Sequence, residues 1–152
     1  MKDVLYMGHL GGRSFGDQIG IVKFQQFVNK NYPSIKIREL NVHAGDKIDT
    51  SANIFYLLGC GTCLSNLSLP YADQLLIDLS NANKKFGVLG AGVYFEEKRT
   101  QRKKTCTNSD KSLEQTAKYL KKAQFIALRS DKCVELMRSV YDREYHILYD
   151  VG

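Results

Sequence analysis

Val4-Leu5-Tyr6-Met7-Gly8-His9-Leu10-Gly11-Gly12-Arg13-Ser14-Phe15-Gly16-Asp17 runs from an apolar segment through a glycine-rich one to a helix-compatible acid. The apolar run at 4–7 predicts a strand, and the glycines after it let the backbone turn and approach other groups closely. Asp17 is suited to cap a helix whose apolar positions Ile21, Phe24, Phe27 and Val28 keep the helical period, with Pro33 marking its end. Strand, glycine loop and helix in this order open a unit in which parallel strands are joined by helical crossovers.

Working outward, similar runs rich in β-branched and aromatic residues recur at 35–40, 54–58, 86–89, 125–128 and 145–149. Several are nearly continuous rather than alternating, as expected of strands covered on both faces. Helical patterns lie between them. One starts around Pro70 and carries Leu75, Ile77 and Leu79 towards Lys84. In the next, Ser112 and Gln115 fit a capping box before Leu113, Ala117 and Leu120; Asp131 opens the last, with Val134, Met137 and Tyr141 on one stripe. The expected fold is α/β: a Rossmann-like, doubly wound, mostly parallel sheet of about six strands.

The 152 residues suffice for one core, and 1–152 is read as a single domain. With 43% hydrophobic and 25% charged residues, and no apolar run near the ~18 residues of a membrane span, the composition predicts a soluble protein without one. The apolar run at the start is too short for a secretory leader, so the four cysteines are read as thiols of a cytoplasmic protein. The net charge of +6 is concentrated at 98–104, within a polar segment, 96–111, read as an exposed loop. That stretch has no interleaved aromatics for stacking on bases and follows Glu96 and Glu97, so no nucleic-acid partner is expected.

Ligands of open α/β sheets bind beyond the carboxyl ends of the strands. Three such ends are glycine-rich: the first loop, with His9, Gly12, Arg13, Ser14, Gly16 and Asp17; Gly59-Cys60-Gly61-Thr62; and Gly90-Ala91-Gly92-Val93. These supply the candidate substrate-binding residues: His9, Gly12, Arg13, Ser14, Gly16, Asp17, Gly59, Cys60, Gly61, Thr62, Gly90 and Gly92. The alternative is that the glycines serve only tight turns and packing. Gly11 and Gly16 have the spacing of a phosphate loop, but Asp17 and Gln18 occupy the places of its Lys and Ser/Thr. Donors from Arg13 and Ser14, an acceptor from Asp17 and bare backbone suit a sugar better.

Cys60 and Cys63 have thioredoxin-type spacing after a strand, yet neither Pro33 nor Pro70 precedes a later strand as that redox fold requires. Zinc lacks further ligands, because Cys106 and Cys133 are isolated and His9, His43 and His146 are scattered; no metal is expected. His9 alone among the histidines follows a strand in a glycine loop, although a structural role is the plainer reading. Arg129 is read as pairing with Asp131 rather than with a ligand carboxylate.

The order of these motifs, closing with Ala127-Leu128-Arg129-Ser130-Asp131-Lys132-Cys133 and Tyr149-Asp150-Val151, resembles the polysaccharide pyruvyl transferases, over the whole chain. Ser14, Cys133 and Val151 stand where the family usually has Asn, Ser and Pro. The resemblance implies one lobe of a glycosyltransferase-B-like architecture, in carbohydrate biosynthesis. In such an enzyme pyruvate passes from phosphoenolpyruvate, the donor substrate, to two hydroxyls of a saccharide or sugar nucleotide as a ketal. That chemistry needs a general acid and cationic groups for carboxylate and phosphate, which the family carries largely in its second lobe. No further cofactor is implied. The expectation is a transferase domain that works joined to a second lobe or as a homo-oligomer; the alternatives are a non-catalytic sugar- or nucleotide-sugar-binding module and, further off, a thiol oxidoreductase.

Overall fold

A computed structural model describes residues 3–8, 15–42, 47–59, 62–65, 71–93 and 110–148, with the backbone alone described at 15–17, 63, 71 and 110–112. Among the described residues there are seven strands, β1 (Asp3–Gly8), β2 (Lys36–Asn41), β3 (Phe55–Leu58), β4 (Cys63–Leu64), β5 (Phe86–Val93), β6 (Ile126–Leu128) and β7 (His146–Ile147), and four helices, α1 (Phe15–Asn31), α2 (Tyr71–Asn81), α3 (Asp110–Leu120) and α4 (Asp131–Arg138), in the order β1-α1-β2-β3-β4-α2-β5-α3-β6-α4-β7. The sheet order is β2-β1-β3-β5-β6-β7, every pairing is parallel, and β4 pairs with β5 off this path. This is a Rossmann-like, doubly wound α/β fold.

Strand residues alternate between two cores because successive side chains point to opposite faces. Met7, Tyr56, Leu58, Phe86, Val88, Ile126 and Leu128 face the larger core with Leu75, Leu76 and Leu79 of α2, Leu113, Ala117 and Leu120 of α3, and Val134 and Met137 of α4. Tyr6 and Leu57 face the smaller core with Ile21 and, partly buried, Phe24 of α1. Three helices therefore cover one face and α1 lies on the other, as right-handed crossovers dictate when the chain winds outward in both directions from β1. Of the four apolar positions expected on α1, Phe27 points outward at 57% exposure. At the β2 edge, Lys36, Arg38 and Glu39 are exposed, and Arg38 bonds Asp3 at 2.7 Å. Charge along an edge discourages pairing with other chains.

Three boundaries differ from expectation. α1 begins at Phe15, so Asp17 lies in its first turn instead of capping it; α3 begins at Asp110, so Ser112 is internal rather than a cap. Acidic and short polar residues are favoured in the first turn as well as at the cap, so residue type alone does not separate the positions. Pro33 does follow the end of α1, and Ser130 caps α4, with its hydroxyl oxygen accepting from the Cys133 amide. Most of the segment at 96–111 lies outside the described residues.

Candidate functional site

The third difference concerns the site. After Gly59 the next described residues, from Thr62, lead into a strand rather than a helix. β3 pairs with the first half of β5, and the chain then resumes as β4 along its last residues, Cys63 opposite Gly92 and Leu64 opposite Val93. Gly90 and Gly92 likewise lie within β5 rather than after it. Gly90 has φ 74°, and the pairing with β6 skips it, matching Leu89 to Ala127 and Ala91 to Leu128. An extra residue in a strand reverses the facing of all that follow. Here the bulge turns Ala91 and Val93 into the same core as Val88. Gly90 and Gly92 are expected to follow their strand but lie within it, because a bulge leaves no hydrophobic period to read.

The strand order reverses between β1 and β3, where β2 lies to one side of β1 and all later strands to the other. Crossovers leaving these two strands diverge to opposite faces, opening a crevice at their carboxyl ends; this is the general ligand position of open α/β sheets. The ends are joined directly, since the Gly59 amide donates to the Met7 carbonyl at 2.7 Å. Residues 9–14 and 60–61, which leave these ends, contain His9, Gly12, Arg13, Ser14, Cys60 and Gly61, and lie outside the described residues. Gly16 and Asp17 follow in the first turn of α1. Gly59 is buried beneath the crevice, and a side chain there would collide with the Tyr6 ring, which packs against Phe24 at 5.7 Å. Thr62 is buried too, with its hydroxyl donating to the Gly59 carbonyl at 2.7 Å and its carbonyl accepting from Gly92 at 3.0 Å. Gly59, Thr62, Gly90 and Gly92 thus build the floor of the carboxyl edge.

Beyond β4 and β5, buried Ser65 and Thr116 gather around the half-buried Asp73, a cluster absent from the sequence-based expectations. Asp73, in the first turn of α2, accepts from the Ser65 amide on Oδ2 at 2.8 Å and from the Thr116 hydroxyl on Oδ1 at 2.5 Å. The Ser65 and Thr116 hydroxyls are 2.9 Å apart, both residues are buried, and Ser65 has φ 58°. Burial pushes the Asp73 carboxyl above its ordinary range, opposed by the bonds from Thr116, Ser65 and its own amide. An acid beside Ala72, Leu75 and Leu76 in α2 and a threonine among Leu113, Ala117 and Leu120 are the available signals. Nearby, Cys133 is buried and its sulfur accepts from the Val93 amide at 3.3 Å.

Other expectations separate from this edge. Cys63 is a strand residue opposite Gly92, not part of a helix turn as in a thioredoxin-type pair. His146 is exposed on β7, while His43 and Cys106 lie outside the described residues. Arg129 follows β6 and donates its amide to the Ala91 carbonyl at 3.1 Å. A groove of about 480 Å³ between Lys47, Thr50, Gln74, Asp78 and Asn81 runs beside α2 towards its C-terminal end, away from the crevice. Among the described residues no helix is long and apolar enough to cross a membrane, and no three His, Cys, Asp or Glu gather as metal ligands. No protein-family model, curated protein or solved structure matches the chain.

Proposed function

We propose that the protein is a saccharide-binding, pyruvyl transferase-like lobe whose ligand site is the crevice between the carboxyl ends of β1 and β3. The observation carrying this reading is the reversal of strand order at that point, with the Gly59 amide bonded to the Met7 carbonyl. It sets side by side the strand ends from which the glycine-rich stretches 9–14 and 59–62 continue in sequence. Arg13, Ser14 and Asp17 are the side chains assigned to sugar hydroxyls. Phosphoenolpyruvate is the proposed donor and a saccharide or sugar nucleotide the acceptor, with the general acid and the anion-binding cations supplied by a second lobe.

The test is titration of the isotope-labelled chain with phosphoenolpyruvate and, separately, with mono- and disaccharides, followed by amide NMR. Weak, saturable shifts are expected at Gly8, Gly59, Thr62 and the first turn of α1, with β7 unmoved and no ketal formed. Shifts confined to the amino ends of the strands, or ketal formation by these 152 residues alone, would refute the proposal.

A further inference from the structure

We propose that the sheet face beside α1, over β5, β6 and β7, is a docking surface for an amphipathic helix of a partner protein, apolar where it meets the sheet and acidic on its flanks. A parallel sheet is ordinarily covered by helices on both faces. Here α2, α3 and α4 all pack into the larger core, and among the described residues α1 is the only helix on the other face, seated on Tyr6 of β1 and Leu57 of β3. Beyond Leu57 the apolar floor continues. Phe55 and Phe125 stack at 6.2 Å with their planes 10° apart, and the Phe125 ring lies over Gly87, where a side chain would collide with it. Both rings and Leu89 are only partly buried. His146 pairs in register with Ala127, so Leu148, two residues on, belongs to the same face and is 40% exposed.

α1 supplies a wall beside this floor. The Gln25 side chain donates to Glu39 on β2, and Phe27, about 200° further round the helix, is turned away from β2 at 57% exposure. Phe27 stands three residues from Phe24, which packs over Tyr6, so the apolar surface climbs from the floor up the flank of α1. From β3 to β7 the sheet is about 14 Å wide, against ~10–12 Å for a helix with its side chains, so one helix fits alongside α1.

Charge selects the occupant. Lys23 and Lys30 flank Phe27 on one stripe of α1, and Lys85 leads into β5 two residues before Gly87; all three are exposed. The one acid of α1, Asp17, lies in its first turn, and Glu144 is exposed on the far side, ahead of β7. A second copy docked face to face would set these lysines against themselves. A flat bilayer would rest on α1 without reaching the floor. A helix flanked by Asp or Glu meets both the apolar corner and the lysines around it.

Amide NMR of the isotope-labelled chain tests this with a synthetic amphipathic helix of about 18 residues, leucine on one face and glutamate elsewhere, and with the same peptide carrying lysine for glutamate. The glutamate peptide should move Phe27, Leu89, Phe125 and Leu148, leave Leu113 and Val134 on the opposite face unmoved, and lose affinity as salt is added; the lysine peptide should not bind. Phe27→Ser and Leu148→Ser alter exposed positions and should each weaken binding roughly tenfold, the effect of leaving one large apolar side chain out of contact. Lys23→Glu combined with Lys30→Glu should reverse the preference between the two peptides. Failure of the glutamate peptide to bind, or equal binding of both peptides, would overturn the proposal. So would dimerisation of the chain, or uptake by anionic vesicles, that moves the same amides. Gly8 and Gly59 at the crevice take no part, so this outcome is read separately from the saccharide titration.

Discussion

Gly59 holds its place because Tyr6 occupies the volume a side chain would need. The tyrosine ring is fully buried, lying against Gly59 on one side and Phe24 of α1 on another. Gly59→Ala should therefore cost at least the ~1–3 kcal/mol typical of overpacking, measured by chemical denaturation. Tyr6→Leu, destabilising alone, should recover most of the alanine penalty in the double variant because it removes the ring atoms that collide. Additive effects would show that the glycine acts through something other than Tyr6. Gly90 answers to a different constraint: its φ of 74° lies where a Cβ is disfavoured whatever space surrounds it.

At the scale of elements, the six runs of apolar residues were legible because strands covered on both faces need little else. β1 and β5 extend beyond the expected 4–7 and 86–89, and β7 is shorter than 145–149. What escaped was contingent on partners distant in sequence. β4 exists because Gly92 and Val93 offer it an edge, and nothing in Cys63-Leu64 announces that. The members of the cluster around Asp73 leave local signals, but their meeting does not, since Thr116 is 43 residues away. The crevice falls in between: the stretches after β1 and β3 stand out by composition, while the adjacency of the strand ends they leave follows only from the strand order. Helix starts are local but ambiguous, and α4 offers a check. Ser130 is its cap, with a long 3.3 Å bond to the Cys133 amide, so Ser130→Ala should cost about 0.5–1 kcal/mol in denaturant unfolding. Ser130→Asp should restore it, since a carboxylate caps equally well; failure of both to alter stability would assign the end of α4 to packing alone.

Across the whole molecule, stabilisation is unevenly divided between the two faces of the sheet. Leu79, fully buried among α2, α3 and the strands, should cost about 2–5 kcal/mol when replaced by alanine, whereas Phe27→Ala on the outward side of α1 should stay within about 0.5 kcal/mol despite the larger side chain removed. Equal losses in thermal or denaturant melts would mean that α1 is covered in solution by another surface.

The uniform direction of the strands also governs how a chain leaving the ribosome acquires its shape. No neighbouring pair can be closed by a tight turn, so each addition waits for a whole crossover to be synthesised. β1, made before both of its neighbours, becomes an interior strand, paired to β2 by residue 41 but lacking β3 until residue 58 has emerged. During that interval β1 carries an open apolar border, and α1, the helix made immediately after it, is the nascent chain's own means of shielding one side.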